Sequence, residues 1–178
     1  MNKVLKLGII LFLVCAIVAG VLGVVNELTY QRIADYTREK TEQAFATVLP
    51  ADGYKTVDFD RSAPAFKTVD TISEASGDAG WVVQTTFSGA QGSITMVVGV
   101  DKEYKCTGIS VISHSETSGL GANAASPAEV GQRFRASFIG QGEEINVKSI
   151  DALSGATITS RSCANATAAC IAAVKALG

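Results

Sequence analysis

Hydrophobic side chains along the chain form one long uninterrupted run, followed by several short alternating runs. No charged residue occurs between positions 7 and 25, and this stretch is rich in leucine, isoleucine, valine, alanine and glycine. A helix of about 20 such residues spans the hydrocarbon core of a typical bilayer. The pattern therefore predicts a transmembrane anchor within residues 1–25.

The residues around this run indicate its orientation and its fate. Lys3 and Lys6 precede it, so the positive-inside rule places the N-terminus in the cytoplasm and the rest of the chain outside. The alternative is a cleaved signal peptide, but its apolar region would be about 7 to 15 residues long, and Val18-Ala19-Gly20 is a weak cleavage site. A lipoprotein signal around Cys15 is also poor because Val14 is not small. We therefore expect an uncleaved anchor.

A polar helical stalk is predicted over residues 26–48. It should end near Leu49-Pro50, because proline disfavours helical conformation in the residue before it. Residues 49–178 then form an extracytoplasmic globular domain.

The globular part predicts a sheet with packed helices. Alternating runs predict strands at 54–59, 66–72, 80–87, 94–100 and 106–113, with turns at 88–92 and 101–103. Helical spacing predicts helices at 127–138 and 160–177, and Val147 to Ile150 resembles a short strand. This order predicts an α+β fold with a largely antiparallel sheet.

Composition argues against several classes of function. All 17 acidic residues but only 13 of the 15 basic ones follow the anchor, and no basic stripe is present, so nucleic acid is an unexpected partner. His114 is the single histidine, and the four cysteines form no Cys-x-x-Cys pair, so a metal site is not expected. Cys163 and Cys170 are expected to be small buried side chains, whereas a disulfide at Cys106 is left open.

The segment Asp151–Ser160 carries the candidate chemistry. Gly155 and Ala156 allow close approach to the backbone. Residues 157–160 lie near a predicted helix start, where unpaired N–H groups and the helix dipole favour an anion such as phosphate. The alternative is an ordinary strand–turn–helix junction in which Ser160 or Thr159 is the N-cap.

The string Asp-x-x-Ser-Gly-Ala-Thr in this segment resembles the flavinylation motif of the FMN-binding domain family. The resemblance implies that FMN is joined through its phosphate to the hydroxyl of Thr157. It also implies a role for Asp151 in recognition by a flavin transferase, although a turn-capping aspartate is an equal alternative. The implied cofactor-binding residues around Thr157 are Ser154, Gly155, Ala156, Thr159 and Ser160.

A second segment, His114–Gly121, is by itself an ordinary polar turn with two glycines. It resembles the His-x-Glu-Thr-Pro-Gly-Leu-Gly element of the same family, with Ser118 in the place of proline. The resemblance implies polar contacts with the flavin from Glu116 and Thr117. It also implies close backbone approach at Gly119 and an apolar surface at Leu120.

A third family element is a glycine-rich turn, which here reads Gly89-Ala90-Gln91-Gly92 and lacks the usual aromatic residue. Only the turn and a backbone contact are carried over from the family.

The anchor and the domain size resemble the flavin subunits of ion-translocating electron-transport complexes. The resemblance implies a covalent-FMN electron relay in an Rnf-type ferredoxin:NAD+ oxidoreductase, with the other subunits, a flavin transferase and the membrane as partners. The alternatives are the FMN subunit of a Na+-translocating NADH:quinone oxidoreductase, a free-standing flavin reductase, or an anchored adaptor without flavin. No general acid–base pair is evident, so the chain is expected to be a redox subunit and not a complete enzyme.

Overall fold

The computed structural model describes residues 3–59 and 66–177. The predicted domain limits at Met1 and Gly178 lie outside these residues. By its internal contacts the chain divides into two compact units, Met1–Glu39 and Lys40–Gly178. The predicted limits of anchor, stalk and domain remain predictions.

The described part of the first unit is helical. Helix α1 covers Lys3–Val48, and large apolar side chains along its N-terminal half, such as Leu7, Phe12 and Ile17, are exposed. A continuous exposed apolar surface of this kind marks a membrane or protein contact. Within residues 3–59 and 66–177, α1 is the one helix long and apolar enough to cross a membrane.

The end of α1 lies where the proline predicts it. The N–H of Leu49 still donates to the carbonyl of Phe45 at 3.0 Å, but Pro50 has no N–H to continue the pattern. Helix α1 therefore ends at Val48.

The second unit is built on a five-stranded antiparallel sheet in the order β1-β2-β3-β4-β5. The strands are β1 (Tyr54–Val57), β2 (Val69–Ala75), β3 (Gly80–Ser88), β4 (Ser93–Val100) and β5 (Cys106–His114). A 3-10 helix at Gly121–Ala125 and two α-helices, α2 (Glu129–Ala136) and α3 (Thr157–Leu177), follow the sheet. The predicted α+β class is confirmed.

Both faces of the sheet are covered. One face packs Val83, Val98 and other strand residues into a core shared with α2 and α3. The opposite face packs Val82 and Val97 with Val48 at the end of α1. Burial on both faces explains why β4 reads as a nearly continuous apolar run and not as a strict alternation.

The candidate site lies beside one end of the neighbouring strands β3, β4 and β5. Ile94 near the start of β4 pairs with His114 at the end of β5, and Ser88 pairs with Ser93 across the β3–β4 turn. The glycine-rich turn at 89–92 and the loop after His114 are therefore neighbours in space.

The strand predicted at Val147 to Ile150 is wrong, because this segment forms turns. The Asn146 side chain accepts from the N–H of Lys148 at 3.0 Å. The Ser149 hydroxyl accepts from the N–H of Asn146 at 3.1 Å. Asparagine and serine side chains that bond to nearby backbone favour turns over strands. The strand preference of one valine and one isoleucine does not outweigh these bonds.

The backbone at the end of α1 is tied to the sheet by side-chain hydroxyls. Thr107 donates to the carbonyl of Val48 at 2.5 Å, and Tyr54 donates to the carbonyl of Leu49 at 2.7 Å. Gly99 leaves room for this contact, since a Cβ there would lie 2.7 Å from the Val48 carbonyl oxygen. These bonds satisfy carbonyl groups that a helix end leaves unpaired.

Replacing Thr107 by valine is expected to lower the free energy of unfolding by about 1 to 2 kcal/mol, because it leaves the Val48 carbonyl without its donor. Chemical denaturation of the full chain in detergent measures this loss. Thr56→Val, at an exposed position of β1, is the matched control and should change stability by less than about 0.5 kcal/mol. Equal stability of the two variants would show that the bond to Val48 contributes nothing.

Candidate functional site

The start of α3 is held by a short turn that Ser160 closes from within the helix. The N–H of Ala156 donates to the carbonyl of Leu153 at 3.1 Å, and Gly155 lies between them with a φ of +72°. The hydroxyl of Ser160 accepts from the N–H of Leu153 and donates to the carbonyl of Ala156, each at 3.0 Å. As a result α3 begins at Thr157.

The alternative in which Ser160 or Thr159 caps the helix is wrong. Both residues lie inside the first turn of α3 with fully buried side chains. The preceding residue, Ala156, has no side-chain oxygen with which to cap the helix. The N–H groups of residues 157–159 have no partner within the helix, and this end of α3 is therefore suited to an anion.

Thr157 is exposed as the first residue of α3. Two large apolar side chains are also exposed, Leu120 at 43% in the loop after β5 and Ile158 at 61% next to Thr157 in the chain. A Cβ placed on Gly155 would lie 3.0 Å from Leu120 Cδ2, so the loop after β5 lies against the turn before α3. Exposed apolar side chains thus lie on both sides of the segment that leads into Thr157.

Ile158 is not among the residues that the sequence predicts for the site. The available signal was a large apolar residue in the first helical turn between two polar ones, Thr157 and Thr159.

Glu116 is buried, with 9% of its surface exposed, and its carboxylate is bonded on two sides. Oε1 accepts from the N–H of Gln91 at 3.0 Å, and Oε2 accepts from the hydroxyl of Thr159 at 2.5 Å. The carboxylate therefore connects the β3–β4 turn with the first turn of α3.

Two opposed effects act on the pKa of the Glu116 carboxyl. Burial raises it, but the hydrogen bonds from Thr159 and from the N–H groups of residues 90–92 outweigh burial and lower the pKa. Because the folded-state pKa lies below the unfolded value of about 4.3, the carboxylate stabilises the fold above that pH. The contribution is lost as the pH falls through the folded-state pKa.

Two glycines make room for this carboxylate. A Cβ on Gly89 would overlap Oε1 of Glu116, and a Cβ on Gly121 would overlap Oε2. The backbone of the glycine-rich turn thus faces Glu116. Its predicted contact with a cofactor stays a prediction.

The loop at 117–121 is ordered by its own hydrogen bonds although Ser118 replaces the usual proline. The Thr117 carbonyl accepts from the N–H groups of Leu120 and Ala122, each at 3.2 Å. Gly119 has a φ of +77°, and its carbonyl accepts from the Asn123 side chain at 2.9 Å. Thr117, Gly119 and Leu120 are all exposed, so they remain accessible to a ligand.

The remaining predicted residues of the motif divide into exposed and buried groups. Ser154 and Gly155 are exposed and Ala156 is buried. The hydroxyl of Thr159 donates to Glu116, and the hydroxyl of Ser160 accepts from the N–H of Leu153 in the turn. Direct contacts from these five residues to a cofactor remain predictions.

Asp151 forms an exposed ion pair. Its Oδ2 accepts from the guanidinium of Arg133 on α2 at 2.9 Å. The two residues line a cleft of about 340 Å³ together with Val130 and Ser154. Arg133 was not singled out in the sequence, because an arginine on a polar helix face gives no local sign of its partner.

His114 bonds to nearby backbone, and three of the cysteines are buried in the domain. His114 Nδ1 accepts from the N–H of Glu116 at 3.3 Å. Cys106, Cys163 and Cys170 are buried free thiols, which confirms the expectation for Cys163 and Cys170. Burial raises the pKa of Cys106 and of Cys163 to about 12. No group of metal-binding side chains occurs within residues 3–59 and 66–177.

Two family matches cover the two parts of the chain. Residues 89–172 match the FMN-binding domain family, and residues 1–48 match the RnfG N-terminal region. The first match contains the glycine-rich turn, the loop after β5 and the segment Asp151–Ser160. It confirms the predicted family and supports FMN as the cofactor.

Solved structures support the fold. The C subunit of the Na+-translocating NADH-quinone reductase from Parabacteroides distasonis superposes with a TM-score of 0.51 at 15% identity. The match covers 81% of this chain and 92% of the length of that protein.

Relatives of known name extend along nearly the whole chain. The G subunit of the ion-translocating oxidoreductase complex of Methanosarcina acetivorans is 26% identical over 93% of this chain and 91% of its own length. The G subunit of the Na+-translocating ferredoxin:NAD+ oxidoreductase complex of Acetobacterium woodii is 30% identical over 89% of this chain and 85% of its own length. The chain therefore belongs to the RnfG family, which comprises the G subunits of ion-translocating oxidoreductase complexes of the Rnf type.

Proposed function

We propose that this chain carries FMN as a phosphoester on Thr157 and relays electrons within an Rnf-type ion-translocating ferredoxin:NAD+ oxidoreductase. The observation that carries the proposal is the position of Thr157, whose exposed side chain lies at the start of α3 within a match to the flavinylation motif. Membership of the RnfG family gives the complex in which such a carrier operates.

The residues present fit FMN. The N–H groups at the start of α3 favour the phosphate, and the positive φ of Gly155 brings the backbone close without a side chain. Leu120 and Ile158 offer exposed apolar surface for the flavin ring. Thr117 and Ser154, both exposed, would offer hydroxyl groups for polar contacts.

Attachment requires a flavin transferase and FAD. The hydroxyl oxygen of Thr157 forms a new bond to the FMN phosphorus, the phosphoanhydride bond of FAD breaks, AMP leaves, and the hydroxyl proton passes to solvent. The product differs from the unmodified chain by the mass of FMN less water.

When bound, FMN supplies the capacity to accept and donate electrons, and the chain supplies position and environment. Thr157 would hold the phosphate at the start of α3, and Leu120 and Ile158 would offer the ring an apolar surface that excludes water. Among the described residues around Thr157 we find no acid–base pair of the kind that substrate chemistry needs. The chain therefore acts as a redox subunit of a larger enzyme.

The proposed topology places the N-terminus in the cytoplasm and residues 49–178 outside. Lys3 and Lys6 before the apolar run support this orientation by the positive-inside rule. The partners are the other subunits of the same complex, which exchange electrons with the flavin on the outer face.

This function is tested in native membranes from cells in which Thr157→Val replaces the wild-type chain. Ferredoxin-dependent NAD+ reduction should be lost while the complex still assembles. Unchanged activity would contradict the relay. Loss of NADH-dependent quinone reduction instead would favour the Na+-translocating NADH:quinone oxidoreductase, whose C subunit from Parabacteroides distasonis has a fold similar to that of this chain.

A further prediction separates the two roles proposed for Asp151. If the carboxylate serves flavin transfer, Asp151→Asn should slow FMN attachment by about tenfold or more, whereas Arg133→Gln, which removes the other half of the ion pair, should not. Intact mass measured during incubation with transferase and FAD gives both rates. Equal slowing in the two variants would assign Asp151 to the ion pair and not to the transfer.

A further inference from the structure

We propose that Glu116 is a positioning residue, whose buried carboxylate holds the first turn of α3 through Thr159 and thereby fixes Thr157 for flavin attachment. The part of this inference that concerns flavin rests on the proposed function. The part that concerns the helix start does not.

The carboxylate has the contacts that such a role requires. Each oxygen accepts a hydrogen bond from a different element: one from Gln91 in the β3–β4 turn, the other from Thr159 in α3. Thr159 lies two residues beyond Thr157 in the same turn of helix. A shift of this hydroxyl would therefore shift the attachment residue.

The fold has no spare room at this contact. Gly121 has to lack a side chain because a Cβ would overlap Oε2 of Glu116 and would lie 2.7 Å from Oγ1 of Thr159. Gly89 is subject to the same restriction at Oε1. Close packing around a charged, hydrogen-bonded group specifies one arrangement of the three segments.

The start of α3 needs an external support of this kind. Ala156 cannot cap the helix with its side chain, and the Ser160 hydroxyl bonds within the turn, to Leu153 and Ala156. The bond between Glu116 and Thr159 joins this turn to the sheet edge. A carboxylate is suited to the task because negative charge is stabilised near the N-terminus of a helix.

Substitutions on both sides of the bond test the role. Thr159→Val removes the hydroxyl and keeps the shape and the carboxylate. Glu116→Gln keeps one oxygen that can accept from the N–H of Gln91, and its amide group can donate to the Thr159 oxygen. This variant should therefore retain much of the hold on the helix start and much of the attachment rate. Thr167→Val is the matched control, because Thr167 is a buried threonine of the same helix whose hydroxyl donates to the Cys163 carbonyl within that helix.

Two readouts on the full chain in detergent are compared. The first is hydrogen exchange of the unmodified protein at the amides of Leu153 and Ser160, with Ile171 near the far end of α3 as internal reference. The second is the rate of FMN attachment by purified transferase with FAD, followed by intact mass.

Thr159→Val should speed exchange at both amides and slow attachment by about tenfold, the effect of losing one hydrogen bond to a charged group. Glu116→Gln should give smaller changes, and Thr167→Val should change neither readout.

Three outcomes would overturn the proposal. Exchange at Ser160 that is unchanged in Thr159→Val would show that the bond does not hold the helix start. Faster exchange with an unchanged attachment rate would limit Glu116 to a role in stability. Slower attachment in Glu116→Gln than in Thr159→Val would indicate direct contact of the carboxylate with flavin or transferase. If the wild-type chain gains no FMN, the proposed function fails, whereas hydrogen exchange still decides whether Glu116 holds α3.

Discussion

Replacing Thr157 by valine is expected to abolish covalent flavin while leaving the fold intact. Valine has nearly the shape of threonine but no hydroxyl, so no phosphoester can form. Thr157 is exposed, and substitutions at such positions usually change stability by less than about 0.5 kcal/mol. Flavin fluorescence that survives denaturation, measured with the intact mass, reports the covalent bond, and circular dichroism reports the fold.

Thr157→Ser is the matched control for this variant, because it retains a hydroxyl at the start of α3. It should accept FMN, although the rate of attachment can differ. Covalent flavin that persists on Thr157→Val would place the attachment elsewhere. A folded wild-type chain that never acquires flavin would favour the anchored adaptor, in which residues 151–160 form only a helix start.

Replacing Gly121 by alanine is expected to be among the most damaging single changes in the domain. The added Cβ would overlap Glu116 Oε2 and lie 2.7 Å from Thr159 Oγ1. Neither partner can move aside freely, since both are buried and bonded to each other. We expect a loss of about 2 to 3 kcal/mol in the free energy of unfolding, together with slower FMN attachment. Chemical denaturation of the full chain in detergent measures the loss of stability.

Gly142→Ala provides the matched control for Gly121→Ala. The nearest atom to a Cβ at Gly142 is Nζ of Lys105, at 3.0 Å, and this exposed end of a flexible side chain can move away. Its stability should stay within about 0.5 kcal/mol of the wild type. If both variants were equally stable, the packing around Glu116 would not be as restrictive as the structure indicates.

Much of the fold could be predicted because its signals are local in sequence. The uncharged run from 7 to 25 indicates the anchor, alternation indicates the strands, and Pro50 indicates the end of α1. The apolar residues of the segment Val147 to Ile150 favour a strand, but the side-chain bonds of Asn146 and Ser149 hold it in turns.

The candidate site could be predicted in position but not in its internal bonds. The sequence predicts a helix from residue 160 with Thr157 near its start, and in the structure α3 begins earlier, at Thr157 itself. The partner of Glu116 is Thr159, 43 residues away in sequence, and the partner of Asp151 is Arg133, 18 residues away. Contacts of this kind depend on how the sheet edge and the helices meet, which no local spacing encodes. The buried roles of Thr159 and Ser160 follow from the same packing.

The most direct test of the account is the mass of the natively produced protein, followed by peptide mapping of the modified residue. We predict an increase in mass equal to FMN less water, located on Thr157. An unmodified mass from cells that contain an active flavin transferase would contradict it.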